Sequence, residues 1–319
     1  MRESTTLAPS RPHISALRRA WIYQRERFPI FSHGLLIAVF SFSTISFSAL
    51  ARGVIRLPDP KAYLVAFATA FIFFVQMRIA DEFKDAEEDA RYRPYRPVPR
   101  GLVTLRELGH VALFGALAQA ALALCLAPAL LPFLLLTWGY LALMSKEFFV
   151  RDWLKARPIT YMWSHMLILP LIDLYATACD WRVAGVAAPA GLAWLLVVSF
   201  ANGFVLEIGR KIRAPESEER GVETYSFLWG RGRAVAVWLG ALGAAAVCAV
   251  VAAAQIGFAA QAGAILTLPL LGAGFAAPRF LRGPTPSRAK WIELASGLWT
   301  LCMYLSLGAL PLVWRLLAK

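Results

Sequence analysis

The sequence predicts an all-α polytopic membrane protein of about nine helices. Three observations carry this. Of 319 residues, 59% are hydrophobic and only 17% charged, whereas soluble domains run nearer half apolar and a quarter charged. The apolar residues gather in blocks of about 20, the length that crosses a bilayer. The basic residues between the blocks are one-sided: with the N-terminus taken as inside, 27 of the 33 Lys and Arg fall on that side and 6 on the other, as the positive-inside bias requires. Mean hydropathy is +0.57.

The elements follow in order. Residues 1–30 form a polar, basic tail, expected on the cytoplasmic side. From His13 to Phe28 it mixes Arg18, Arg19, Arg25 and Arg27 with Ile14, Leu17, Trp21, Ile22 and Tyr23, which suits a helix lying on an anionic leaflet; a disordered basic tail is the alternative. The tail lacks a short apolar core and a small-residue cleavage site, so the first span is expected to stay as an anchor. The bundle, residues 31–319, has spans read at 31–51, 62–80, 107–127, 130–146, 158–178, 186–206, 233–254, 257–277 and 291–313. The fifth is the least regular, interrupted by Pro158, His165, Pro170 and Asp173. In a soluble protein the net charge of +13 would suggest nucleic acid. Here the basic clusters lie between spans, so they are read as topology signals in a bacterial-type inner membrane, with lipid and not nucleic acid as partner. Cys125, Cys179, Cys248 and Cys302 form no CxxC pair and read as small buried hydrophobes.

The most informative segment follows the second span: DEFKDAEEDARYRPYRPVPRG, residues 81–101. Continued as an α-helix, Asp81, Asp85 and Asp89 drift by about 40° per step of four and form one stripe. With Glu82 they offer only hard oxygen donors, which suit Mg²⁺ shared with substrate phosphates. Pro94, Pro97 and Pro99 end the helix, and Arg91, Arg93, Arg96 and Arg100 can fold back towards an anion. The plainer reading is a solvated helix end, in which Arg78, Lys84 and Arg91 pair with acids three or four residues away.

This segment resembles the first motif of the UbiA superfamily of intramembrane prenyltransferases. In the branch with chlorophyll synthases and archaeal lipid prenyltransferases that motif reads N-D-x-x-D-x-x-x-D, four residues, then P-x-R-P-x-x-x-G. Asp81, Glu82, Asp85, Asp89, Pro94, Arg96, Pro97 and Gly101 reproduce the spacing without a gap, with Asp81 in place of Asn and Glu82 in place of Asp. The resemblance implies nine helices around a central cavity and Mg²⁺ held by the acids at its mouth. It also implies transfer of an isoprenyl group from a prenyl diphosphate to an aromatic or alcohol acceptor.

The counterpart after the sixth span departs from the family. There NGFVLEIGRKIRAPESEERGVETYSFLWG, residues 202–230, keeps Gly221, Thr224 and Gly230 but places Arg210, Arg213 and Ser217 near positions where the family has acids. Two readings stand side by side. Either Glu207 shares a metal while Arg210, Lys211 or Arg213 grips the diphosphate, or Glu207 and Lys211 are an ordinary i,i+4 pair. Lys155 and Arg157, in LKARP, are candidate phosphate contacts; as plain topology charge they would do nothing more. Asn202 either lines the cavity or bonds a neighbouring helix. Tyr161 and His165 are polar at membrane depth: His165 is either an acceptor-side base or a satisfied structural histidine. Asp173 is expected near the far interface beside Asp180. No phosphate-binding P-loop, HExxH, GxSxG or CDP-alcohol phosphotransferase pattern occurs in the sequence. A prenyltransferase is therefore the leading expectation, with catalytic Asp81, Asp85 and Asp89 and with Glu82 and Glu207 as further metal ligands. Substrate contacts are expected from Arg96, Lys155, Arg157, Asn202, Arg210 and Lys211. A terpene cyclase of the same superfamily and a non-catalytic lipid or prenyl-diphosphate binding or transport protein are the alternatives.

Overall fold

The computed structural model describes residues 14–318, all of whose regular elements are helices. A first helix, α1 (Ala16–Arg27), precedes the bundle. His13, where the expected tail helix would begin, lies outside the described residues. Among the described residues nine helical stretches are long and apolar enough to cross a membrane. They are α2 (Ile30–Ala51), α3 (Pro60–Lys84), followed by the short α4 (Ala86–Tyr92), then α5 (Leu105–Leu126) and Pro128–Ser145, whose α-helical part is α6 (Leu131–Ser145). After the short α7 (Arg151–Lys155) the fifth span is α8 (Pro158–Met166) plus α9 (Ile168–Trp181), and the sixth is α10 (Leu192–Arg210). After α11 (Tyr225–Trp229) come α12 (Arg231–Ala254), α13 (Ala259–Arg282) and a ninth span made of α14 (Pro286–Tyr304), a π-helical turn (Leu305–Ala309) and α15 (Leu310–Leu317).

Local chemistry starts and breaks these helices. Asp59 Oδ1 accepts from the backbone N–H of Lys61 at 2.7 Å and Ala62 at 3.2 Å, ahead of Pro60 at the first helical position. This opens α3 with two N-terminal preferences at once. Thr104 and Glu107 form a reciprocal capping box that opens α5. The fifth span breaks at Leu167 because Pro170 has no N–H for the Met166 carbonyl and its ring crowds that turn. Pro311 likewise follows the π-helical turn of the ninth span. The sixth span begins and ends later than the hydropathy expectation. Pro189 and Gly191 keep residues 182–191 out of the helix, which then runs on through Glu207 and Arg210.

Burial sorts the spans. In the first and fifth, 61% of the apolar window is buried, against 17% in the third, so the first and fifth form the interior and the third faces outward. Span α2 packs on α9 and on the π-helical turn, α3 on α5 and α9, and α10 on α12 and α14. Two acids of α9 show how pairing meets the demand of apolar surroundings. Asp173 is fully buried. It accepts hydrogen bonds from Thr44 Oγ1 and Tyr304 Oη, each at 3.0 Å. Asp180, near the end of α9, is bound by Arg52 at 2.7 Å and Ser48 at 2.7 Å. All four cysteines are free, but only Cys179 is buried; Cys125 lies on the outward third span and is exposed.

Candidate active site

The polar residues of the first motif lie at the end of the bundle where α3 stops. The expected straight helix through the motif does not form. α3 ends at Lys84, the chain turns at Asp85 (φ −93°, ψ 5°), and α4 resumes at Ala86. The three aspartates take different partners. Asp81 faces Lys84 at 3.4 Å and Arg78 at 3.6 Å. Asp89, buried, is gripped by Arg93 at 2.6 Å and Arg96 at 2.7 Å. Asp85 makes no ion pair or side-chain hydrogen bond among the described residues. Its burial pushes its carboxyl above the usual carboxylate range, Asp81 and Asp89 add to this, and Lys84 and Arg93 oppose it. Glu82 points away from the other acids, is almost wholly buried, and pairs with Arg27 of α1. The reason is electrostatic: each carboxylate removed from water takes the nearest cation, which for Asp81 lies on α3, for Asp89 just after α4 and for Glu82 on α1.

The segment after α4 folds back as the prolines require. Arg96 N–H donates to the Arg93 carbonyl at 3.0 Å, and Leu102 N–H to the Pro97 carbonyl at 2.9 Å. Gly101 ends this turn at φ +76°, a conformation costly for any residue with a Cβ. α1 is docked beneath: Arg19 binds Glu107 at 3.0 Å and Arg100 binds Glu26 at 2.8 Å. Leu17 and Trp21 stay exposed, the apolar side a membrane surface would take up.

The second polar segment meets the first. Tyr95 donates to Glu219 at 2.6 Å, and the ring of Tyr92 fills the space beside Gly221, where φ is +75° and a Cβ would collide. Glu207, buried, accepts from Arg210 Nε at 2.7 Å and pairs with Lys211 at 2.9 Å. Arg210 and Glu207 in turn lie within electrostatic range of Asp81, so α3 and α10 converge on one polar centre. Lys155 is brought to the motif and pairs with Glu88. Arg157 is not: it stacks on Trp153 and donates to the Trp153 carbonyl at 3.1 Å. Asn202 accepts from Thr300 Oγ1 of the ninth span at 3.0 Å, the neighbouring-helix alternative.

Among the described residues no group of three or more His, Cys, Asp or Glu is placed to hold a metal, so the expected four-acid convergence is absent from this arrangement. The donor set still fits Mg²⁺ on narrower grounds. That ion needs one or two carboxylates when phosphates supply other ligands, and Asp85 is uncommitted, beside Asp89.

The sequence marked Lys84 only as a partner for nearby acids, as it is for Asp81, and did not single out Glu147. Lys84 Nζ donates to Tyr161 Oη at 2.6 Å and lies 3.6 Å from Glu147. Glu147 follows the fourth span in a turn where Glu147, Phe148 and Phe149 have φ of 50°, 52° and 61°. Three successive left-handed residues, none of them glycine, cost about 1–2 kcal/mol each. Phe149 is exposed, so Phe149→Gly is expected to leave thermal stability unchanged or raise it by up to about 1 kcal/mol. In an ordinary helix the same change would cost about 1 kcal/mol. A clear drop in melting temperature would contradict the strained turn.

Among the described residues, nine apolar helices with most of the charged residues between them at one end define an integral membrane protein. The chain is similar to a UbiA homolog from Aeropyrum pernix K1, with a TM-score of 0.63 and 14% identity over 88% of this chain and 98% of that one. It is also similar to a digeranylgeranylglyceryl phosphate synthase, with a TM-score of 0.57 and 14% identity over 91% of this chain and 99% of that one. At that identity the likeness shows the fold. No protein-family model matches the sequence, and no curated protein matches it.

Proposed function

We propose that the chain is an intramembrane prenyltransferase that takes an isoprenyl diphosphate at the basic end of the bundle, on the cytoplasmic side of an inner membrane. The observation that carries this is an Asp85 without an ion pair of its own, in the field of Asp81, Asp89, Lys84 and Arg93, where Arg78 and Lys84 sit on Asp81, Arg93 and Arg96 on Asp89, and Arg210 and Lys211 on Glu207. The likeness to a digeranylgeranylglyceryl phosphate synthase supports the same class of reaction.

The ligand-free site is a set of mutually neutralised pairs. A diphosphate arriving with its counter-ion can exchange partners with them. Asp85 and Asp89 would hold Mg²⁺, which when bound stabilises negative charge on the leaving oxygens. Arg93 and Arg96, released from Asp89, would turn to the phosphates, joined by Lys155 from Glu88. Arginine suits this exchange because its planar fork binds carboxylate and phosphate alike. Glu207 would stay with Arg210 and Lys211 and hold them toward the anion, in place of a second metal. Apolar walls between the helices would keep water from the allylic cation. The acceptor would be an alcohol or an aromatic ring.

The test uses the full chain in lipid nanodiscs with farnesyl or geranylgeranyl diphosphate, Mg²⁺ and a panel of hydroxyl and aromatic acceptors. Pyrophosphate release is expected to require the acceptor and to stop on chelation with EDTA. Release indifferent to EDTA would overturn the metal assignment, and binding without any release would establish the non-catalytic alternative. A prenyl hydrocarbon formed without acceptor would establish the cyclase.

A further inference from the structure

Two buried polar atoms just inside the basic end have no partner: Oε2 of Glu147 and Nε2 of His165. Both belong to one packed unit. Tyr161 Oη donates to Glu147 Oε1 at 3.2 Å, and the Tyr161 ring stacks on His165 with centroids 3.9 Å apart. Phe148, next to Glu147, meets the His165 ring edge-on at 6.1 Å. Lys84 ties the unit to Asp81 on α3. His165 also lies within electrostatic range of Asp81 and Glu207.

The ring's tautomer follows from its other nitrogen. Nδ1 lies 2.8 Å from the Tyr161 carbonyl oxygen. A carbonyl only accepts, so Nδ1 carries the hydrogen and Nε2 presents a lone pair. Glu147 Oε2 is likewise an acceptor. Two buried acceptors without donors are costly, and the strained turn that holds Glu147 in place adds to that cost; backbone strain beside unmet buried acceptors is a pointer to function.

We propose that Glu147 Oε2 and His165 Nε2 form the acceptor subsite, and that it receives a neutral compound with two hydroxyl donors, a diol or dihydroxyarene. This rests on the prenyl-transfer reading and deepens it. One hydroxyl donates to Glu147 and fixes the orientation. The other donates to His165. As the C1–O bond of the prenyl diphosphate breaks, its electron pair leaves with diphosphate. A lone pair of the second hydroxyl oxygen forms the new C–O bond to C1, and the proton of that hydroxyl passes to Nε2. The products are an ether, diphosphate and an imidazolium that later loses its proton to solvent. A carboxylate-bearing acceptor is disfavoured because its charge would face Glu147.

The experiment uses the full chain in nanodiscs, geranylgeranyl diphosphate, Mg²⁺ and three matched acceptors: n-octanol with one donor, glycerol monooctyl ether with two, and hydroxyoctanoate with an anion. The wild type is expected to prefer the glycerol ether over octanol in kcat/KM by about tenfold or more, equivalent to one hydrogen bond, and to use hydroxyoctanoate least. Glu147→Gln is expected to raise KM for the glycerol ether about tenfold with kcat little changed. His165→Gln is expected to lower kcat about 100-fold with KM little changed. Both variants should bind geranylgeranyl diphosphate within about twofold of wild type, an outcome a folding defect would not give. The subsite is refuted if the wild type prefers hydroxyoctanoate, if it turns over geranylgeranyl diphosphate yet transfers to none of the three, or if both variants keep wild-type transfer. If the wild type neither binds nor cleaves geranylgeranyl diphosphate, the prenyl-transfer reading itself fails and takes the subsite with it.

Discussion

Asp85→Asn is expected to lower Mg²⁺-dependent pyrophosphate release by about 100-fold or more while raising the melting temperature of the ligand-free protein at neutral pH. Asp85 has no ion pair among the described residues, and burial raises its carboxyl above the usual range. The sign follows from linkage. A group whose folded pKa is raised costs nothing below its unfolded value near 4, since both states are then protonated. As pH rises from there through the folded pKa, the folded state holds a proton more tightly than the unfolded one and stability falls; above the folded pKa the penalty is constant. The asparagine removes the penalty and keeps the shape. Thermal unfolding of both proteins without Mg²⁺ should therefore give melting temperatures that agree near pH 4 and separate, variant above wild type, towards pH 7. A site that spends stability on function behaves in this way. Equal melting temperatures across the range, or undiminished release, would show that Asp85 is an ordinary surface acid.

Asp89→Ala has the opposite signature. Asp89 is the shared partner of Arg93 and Arg96, whose side chains are 9% and 17% exposed. Its removal leaves two nearly buried guanidinium groups uncompensated, a change expected to cost about 3 kcal/mol. Replacing the arginines as well, in Asp89→Ala/Arg93→Met/Arg96→Met, should recover most of that loss, because apolar side chains need no counter-charge. Loss of activity in Asp89→Ala alone therefore mixes chemistry with folding, whereas Asp85→Asn isolates the chemistry. Urea or thermal denaturation in detergent checks the ordering. An Asp89→Ala protein within about 1 kcal/mol of wild type would mean that water reaches the arginines and that the cluster is open.

The two variants separate what was readable in the residues from what was not. The nine spans were readable because apolar length is a one-dimensional property, and the turn after α4 because Pro94, Pro97 and Gly101 restrict the backbone locally. The bend at Asp85 was not. Aspartate is a mediocre helix residue, but nothing nearby marks that position over Asp81, and the bend is tied to where Asp89 meets Arg93 and Arg96. Glu207 shows the same limit. The i,i+4 pairing with Lys211 was visible in the spacing, but its burial and the electrostatic reach to Asp81 depend on how the bundle brings the ends of α10 and α3 near each other. Glu147 carried no signal: an acid beside Lys146 at a span end reads as loop charge, and no pattern foretells three left-handed residues without a glycine.

Hydropathy and charge asymmetry by themselves determined a helical membrane protein, the number and places of its spans, and the end at which its charges collect, because each depends on residues close together in the chain. Asp81, Asp89 and Glu207 meet cations close along the chain, whereas the burial of these pairs, and the partners of Glu82 and Glu147, were decided only when distant helices came together. Inside an apolar bundle a charge is governed by its nearest polar neighbour in space, and for Glu82 and Glu147 that neighbour lies far along the chain.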